Sequence, residues 1–118
     1  MSKNKSIFSK IVDREIPATI LYEDDVVIAF LDAFPYSEGH FLVVPKDEKE
    51  NMLESDEKTF LHAMKVAREL AQKLVVDKGI ESFKLLVNTG ANAGQTVFHT
   101  HIHIIPFKEK MKSNSEVI

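Results

Sequence analysis

Apolar and polar positions along the chain change their period several times, and each change marks an element. Thr19 to Glu23 reads as a short strand, Asp24-Asp25 as a tight turn, and Val26 to Leu31 as a second, nearly unbroken apolar strand, which together predict a β-hairpin. A loop containing Asp32, Pro35 and Gly39 leads to Phe41-Leu-Val-Val44, a β-branched-rich run stopped by Pro45 and expected to form a central third strand. From Ser55 the period lengthens to that of a helix. Phe60, Met64, Ala67, Ala71 and Leu74 share one face, with Leu61 and Leu70 widening the stripe, which predicts one long helix. Ser55 is the expected N-cap, Asp56 and Glu57 suit the positive end of the helix dipole, and Gly79 suits the left-handed position at the far end. Phe83 to Asn88 predicts a fourth strand, Thr89 to Gly94 a loop, and His99 to Ile105 a fifth strand ended by Pro106. Beyond Phe107 the chain is polar and expected to fray.

Five strands, one long helix and hairpin-length connections predict an antiparallel α+β domain rather than an alternating parallel fold. The 118 residues suffice for one hydrophobic core without a metal or disulfide staple, and no repeat or linker divides them, so a single domain over residues 1–118 is expected. No apolar run approaches the roughly 18 residues that cross a bilayer, and a membrane span is excluded. The N-terminal stretch is basic, but its apolar residues are interrupted by Ser9, Lys10 and Asp13, so it does not read as a signal peptide and a cytoplasmic location is expected. A net charge of −3 offers no general attraction to nucleic acid polymers, so a phosphate site must be a local concentration of donors. Cysteine is absent, which removes disulfides, thiolate metal sites and cysteine nucleophiles and leaves nucleophilic or ligand chemistry to histidine.

Three of the five histidines, His99, His101 and His103, occupy alternate positions, which on a strand share one face, while Thr100, Ile102 and Ile104 turn to the core. Alternate side chains on a strand stand about 7 Å apart, so the three cannot grip one atom. The spacing suits a row of groups along an extended polyphosphate, with a nucleophile at the centre, His101, and donors on either side. A neutral imidazole attacks phosphorus and the N–P bond it forms is labile, so a double displacement finished by water follows. One ring nitrogen must then donate to a fixed acceptor, such as a backbone carbonyl. Two other readings stand beside this one: exposed histidines on an edge strand, and a zinc site completed by a further His or carboxylate.

Just before the row, Asn88 to Thr96 is a small-residue loop, read either as a cradle for phosphate oxygens or as an ordinary connection. His40, at the start of the third strand, is a candidate fourth site histidine. Asp32 reads either as a ribose-binding carboxylate or as a turn former. His62, on the helix, shows no partner in its neighbourhood and reads as structural or exposed.

The string Gly94-Gln-Thr-Val-Phe-His99-Thr-His101-Ile-His103-Ile-Ile-Pro106 closely resembles the signature of the histidine-triad (HIT) family. The resemblance extends through Ile7-Phe-Ser-Lys-Ile-Val, Glu15-Ile-Pro17, Tyr22-Glu-Asp-Asp25, Ala29-Phe-Leu-Asp32 and Gly39-His-Phe-Leu-Val-Val-Pro-Lys46, a core of about residues 6–107 with a polar tail at 108–118. It implies a HIT-like fold, a five-stranded antiparallel sheet with one long and one or more short helices, paired as a homodimer that joins two sheets, with the long helix at the interface. It implies a nucleotide hydrolase or transferase acting at the α-phosphate of purine nucleotides, on nucleoside phosphoramidates or dinucleoside polyphosphates, through a nucleotidyl-histidine intermediate. His101 resembles the nucleophile, His103 and His40 the phosphate-contacting histidines, and His99 a support at the opposite end. Asn88, Gly94, Gln95 and Thr96 match the phosphate loop, Asp32 the ribose-binding acid, and Ile7, Phe8, Phe30, Ala33 and Leu42 the purine pocket. Features of the Hint, bacterial Hit and Fhit branches are mixed, with Asp32 and Ile7-Phe8 on the Hint and bacterial Hit side.

One departure bears on metals. Some bacterial relatives hold a structural zinc partly through two cysteines near the N-terminus and a histidine after the third strand, where Ser6, Ser9 and Glu48 stand here. Hydroxyls are poor zinc ligands, so no structural zinc and no obligatory cofactor is expected, with Mg²⁺ at most assisting polyphosphate substrates. A nucleotide-binding signalling or scaffold dimer with vestigial catalysis is the alternative function.

Overall fold

The computed structural model describes residues 5–110. A short helix α1 (Ile7–Val12) is followed by the strands β1 (Ile20–Glu23), β2 (Val27–Leu31) and β3 (Phe41–Pro45), the long helix α2 (Glu57–Leu74), and the strands β4 (Ser82–Leu86) and β5 (Ile102–Phe107). The strands form one antiparallel sheet in the order β1-β2-β3-β5-β4, which makes β3 the middle strand, as its apolar run predicts. Both faces of β2 and β3 are buried, and this two-sided burial is why they read as continuous apolar runs rather than alternating ones.

Strand parity divides the core in two. Val27, Ala29, Phe41, Val43, Ile102 and Ile104 face α2 and pack on Ala63, Val66, Ala67 and Leu70. Ile28, Phe30, Leu42 and Val44 face the other way, against Phe8 and Ile11 of α1. The register pairs Phe30 with Leu42 and Leu42 with His103, so the same row that carries apolar side chains across β2 and β3 reaches a histidine on β5. The functional site is thereby assigned to the α1 face.

Several boundaries differ from the periodicity. Asp56, not Ser55, caps α2, accepting from the Thr59 N–H at 3.2 Å. Ser55 Oγ instead meets Thr100 Oγ1 at 2.7 Å. Gly79 does adopt a left-handed φ of +96°, but it closes a 3₁₀ turn (Val76–Lys78) that follows α2 rather than α2 itself. Leu61 lies outside the packed stripe and is exposed. His99, Thr100 and His101 precede β5, because the Thr100 N–H is taken by the Lys49 carbonyl at 2.9 Å and not by a sheet neighbour. Pro106 lies inside β5: pairing with β3 ends at Ile104, and beyond it the Ser37 hydroxyl donates to the Pro106 carbonyl, so no β3 partner needs the N–H that proline lacks. Much of the polar tail, residues 111–118, and residues 1–4 lie outside the described residues.

His62 has a partner that its own stretch of sequence does not reveal. Its Nε2 lies 2.7 Å from Asp24 Oδ2, which also accepts from Tyr22 Oη at 2.7 Å, while Asp24 Oδ1 accepts from the Val26 and Val27 N–H groups at 2.8 Å each. One carboxylate thus ties the β1–β2 turn to the second turn of the sheet-covering helix. Burial alone would raise the Asp24 pKa, but the hydrogen bonds from His62, Val27, Tyr22 and Val26 outweigh it and hold the carboxyl well below the usual carboxylate range. A carboxyl with a depressed folded-state pKa adds stability above its unfolded value of about 4 and loses it as pH falls below that. Asp24→Ala is expected to destabilise the domain by about 1–3 kcal/mol at neutral pH. In urea denaturation the gap between the variant and the natural chain should narrow as the pH is lowered through about 4.

Candidate functional site

Burial of imidazoles, not their exposure, organises this site. His99 is fully buried and His101 nearly so, at 0% and 6% exposure, against the α1 face of the sheet. The shared face expected from alternation holds, and the rings lean together: the His101 and His103 centroids are 4.8 Å apart, closer than the roughly 7 Å of an extended strand. Phe8 of α1 meets the His101 ring edge-on at 4.9 Å and the His99 ring at 5.8 Å.

Hydrogen bonds assign a tautomer to each ring. His101 Nδ1 lies 2.7 Å from the His99 carbonyl oxygen, an acceptor only, so Nδ1 carries the proton and Nε2 keeps a free lone pair. That carbonyl is the fixed acceptor a histidine nucleophile requires. On the far side, the Tyr36 N–H donates to His40 Nδ1 at 3.0 Å, which places the His40 proton on Nε2. His40 Nε2 then donates to His103 Nδ1 at 3.0 Å, leaving His103 with an N–H at Nε2. One backbone amide therefore sets two rings, and the site pairs a lone pair on His101 with a donor on His103.

Burial lowers the pKa of His40, His99 and His101, and pushes His103 down to about 4, where the neighbouring His101 and His40 rings add to the effect. All four are neutral at physiological pH. The resting site thus presents neutral N–H donors to a phosphate rather than imidazolium charges.

The site opens on a cavity of about 580 Å³, of the size of small-molecule pockets. His101, His103, Asp32, Thr96 and all five residues assigned to the purine pocket, Ile7, Phe8, Phe30, Ala33 and Leu42, line it. Asp32 forms a turn, its Oδ1 accepting from the Phe34 N–H at 2.8 Å, and its carboxylate also borders the cavity, with Oδ2 3.5 Å from His40 Nε2.

Other candidates stand away from the cavity. The Gln95 side chain is buried; its Oε1 accepts from the Gly90 N–H and its Nε2 donates to the Glu50 and Val97 carbonyls. The N–H groups of Ala93, Gly94 and Gln95 are also bonded within the loop, to the Gly90 and Ala91 carbonyls, and brace it. Asn88 lies beneath Gly94, whose φ of +100° requires glycine. Neither Asn88, Gly94, Gln95, His40 nor His99 borders the cavity. Sequence reasoning missed Ile11, Ile16 to Thr19, Leu31, Phe34 and Val97, which complete its wall. The one signal for Ile16 to Thr19 is an apolar stretch around Pro17 that is too short and irregular to form an element.

Two residue groups bear on metals. Among the described residues, Asp32, His40 and His103 bring potential ligand atoms within 4.8 Å of one another. The Tyr36 N–H, however, keeps the proton on the very His40 nitrogen a metal would need. Ser6, Ser9, Glu48 and His99 also converge. Here Ser6 Oγ lies 2.6 Å from His99 Nδ1 and Ser9 Oγ 2.6 Å from Glu48 Oε1, and these hydrogen-bonded hydroxyls do not fit a zinc ion. Protein purified in chelator-free buffer is expected to contain substoichiometric zinc by elemental analysis; a stoichiometric content would overturn this assignment.

The chain is thus an antiparallel α+β domain with a neutral, tautomer-fixed imidazole lining a largely apolar cavity. A family model described as the HIT domain matches residues 13–110, and the chain belongs to the HIT family. It is 47% identical over 106 residues to a HIT-like protein of Mesomycoplasma hyorhinis, covering 90% of this chain and 96% of that one. It is 42% identical over 108 residues to the adenylylsulfatase HINT3 of Arabidopsis thaliana, covering 92% of this chain and 55% of that one. A HIT family hydrolase from Clostridium thermocellum superposes with a TM-score of 0.81 at 35% identity, over 96% of this chain and 99% of that one.

Proposed function

We propose that the chain is a nucleotide hydrolase that cleaves a bond at the α-phosphate of purine nucleotides through a nucleotidyl-His101 intermediate. The observation that carries this reading is the His101 ring, neutral, with Nδ1 bound to the His99 carbonyl and Nε2 free beside a 580 Å³ cavity. The His101 Nε2 lone pair attacks phosphorus, the bond to the leaving group breaks, and the His103 Nε2–H is placed to hydrogen-bond a phosphoryl oxygen or to protonate the departing group. The positive charge that develops on the His101 ring is stabilised by the His99 carbonyl. Water then attacks phosphorus, the N–P bond breaks and a nucleoside monophosphate leaves. The base is held by the apolar wall of Phe8, Phe30 and Leu42 and the ribose by Asp32.

The test is turnover, in metal-free buffer, of an adenosine 5′-phosphoramidate, a diadenosine polyphosphate and, because one relative is named an adenylylsulfatase, adenosine 5′-phosphosulfate. At least one should turn over, with His101→Asn at background. Because burial lowers the His101 pKa, kcat/KM should stay level as pH falls through about 6.5, the ordinary histidine value, and drop only below it. Binding of AMP without turnover above the His101→Asn background would instead support the scaffold reading.

The homodimer belongs to the same proposal. β4 lies at the sheet edge, with Leu85, Leu86 and Val87 only partly covered and Phe83 exposed. Lys84 Nζ is buried over the Phe107 ring, 5.3 Å from its centroid, with no hydrogen-bond partner. A second copy docked along β4 would cover this edge and supply an acceptor. Light scattering is expected to give twice the chain mass, and Phe83→Glu to shift it toward the monomer.

A further inference from the structure

The segment ahead of residue 13 lies outside the family-model match, yet it makes a hydrogen bond to the histidine row across 93 positions of sequence. His99 Nε2 lies 2.7 Å from the Pro45 carbonyl oxygen, so that nitrogen carries the proton and Nδ1 must accept. Its donor is the Ser6 hydroxyl at 2.6 Å. The same Ser6 oxygen accepts from the Ser9 N–H at 2.9 Å and so caps α1. Glu48 Oε1 closes the cluster, accepting from the Ser6 N–H at 3.0 Å and the Ser9 hydroxyl at 2.6 Å. Every polar atom that holds His99 is thus spent in one directed network, and the His99 carbonyl holds His101 Nδ1.

α1 touches the nucleophile by a second route, since Phe8, two residues after Ser6, packs on the His101 ring and lines the nucleotide cavity.

We infer that Ser6 is a positioning residue for the nucleophile: through the His99 ring it locks the carbonyl that sets the His101 tautomer, and it does so from the helix that forms one wall of the substrate cavity. Docking of a base against α1 and orientation of His101 are then mechanically one unit. Ser6 touches neither the substrate nor the reacting atoms, so its loss should reduce kcat more than it weakens binding. A threonine can cap and donate in its place; an alanine can do neither.

The inference rests on the hydrolase reading for its kinetic readout but not for its structural one. In ¹⁵N-edited spectra of the natural chain, His99 should show the Nε2–H form and His101 the Nδ1–H form. In Ser6→Ala, His101 should become a mixture of tautomers, and kcat should fall about tenfold to a hundredfold with KM changed less than about twofold. Ser6→Thr should restore both the spectrum and kcat. A His99 proton on Nδ1 in the natural chain, or a Ser6→Ala protein with unchanged His101 signals and unchanged kcat, would overturn the inference. If the natural chain turns over none of the substrates, the spectra alone decide it, so its failure and that of the hydrolase reading are separately visible.

Discussion

A buried histidine can serve as a nucleophile only if one nitrogen is permanently occupied by its proton and the other permanently bare, and the 2.7 Å contact from His101 Nδ1 to the His99 carbonyl enforces this. The acceptor is part of the backbone, two residues away, so it cannot swing aside. Its position depends on His99, held by Pro45 on one side and Ser6 on the other. The rest of the site is arranged around the same need: Phe8 fixes the ring plane, and His103 offers the donor that His101 cannot.

Putting polar rings on the α1 face of the sheet is energetically demanding. An unpaired buried polar group costs about 1–3 kcal/mol, and this face buries His40, His99 and His101 together. The cost is met by saturation. Both nitrogens of His99 and of His40 have partners, and His101 and His103 each keep one nitrogen for the cavity. The opposite face carries no such burden. There α2 covers Val27, Ala29, Phe41, Val43, Ile102 and Ile104 with small and branched apolar residues, and that half of the core can serve stability alone. The sheet thus separates a stabilising face from a chemical one by the parity of its strands.

The regular elements were readable because their signals are local. Apolar runs located β2 and β3, helical periodicity located α2, and alternation placed His99, His101 and His103 on one face and Thr100, Ile102 and Ile104 on the other. Where two neighbouring residues were equally suitable, local chemistry could not choose between them. Ser55 and Asp56 are both good caps, and Asp56 took the role because Ser55 is drawn to Thr100, 45 positions away. Gln95 matched a phosphate loop by its side-chain amide, but that amide is taken by the Gly90 N–H and by the Val97 and Glu50 carbonyls, the last 45 positions upstream. The His62 partner was hidden for the same reason: Asp24 is 38 positions upstream.

From the sequence alone came the α+β class, the strand faces and the histidine row, which follow from spacing and side-chain type, while the resemblance to the HIT family pointed to Ile7, Phe8, Phe30, Ala33 and Leu42 of the apolar wall. Tertiary structure decided which atom of each ring carries a proton. Spacing can place an imidazole on a face, but a tautomer is set by whatever stands opposite each nitrogen, and here those groups are the Tyr36 amide, the Pro45 and His99 carbonyls and the Ser6 hydroxyl. Ser6 and Pro45 are brought to His99 only when α1 and β3 close on the segment before β5, because hydrogen bonds act over about 3 Å while the chain between these residues spans much of its length.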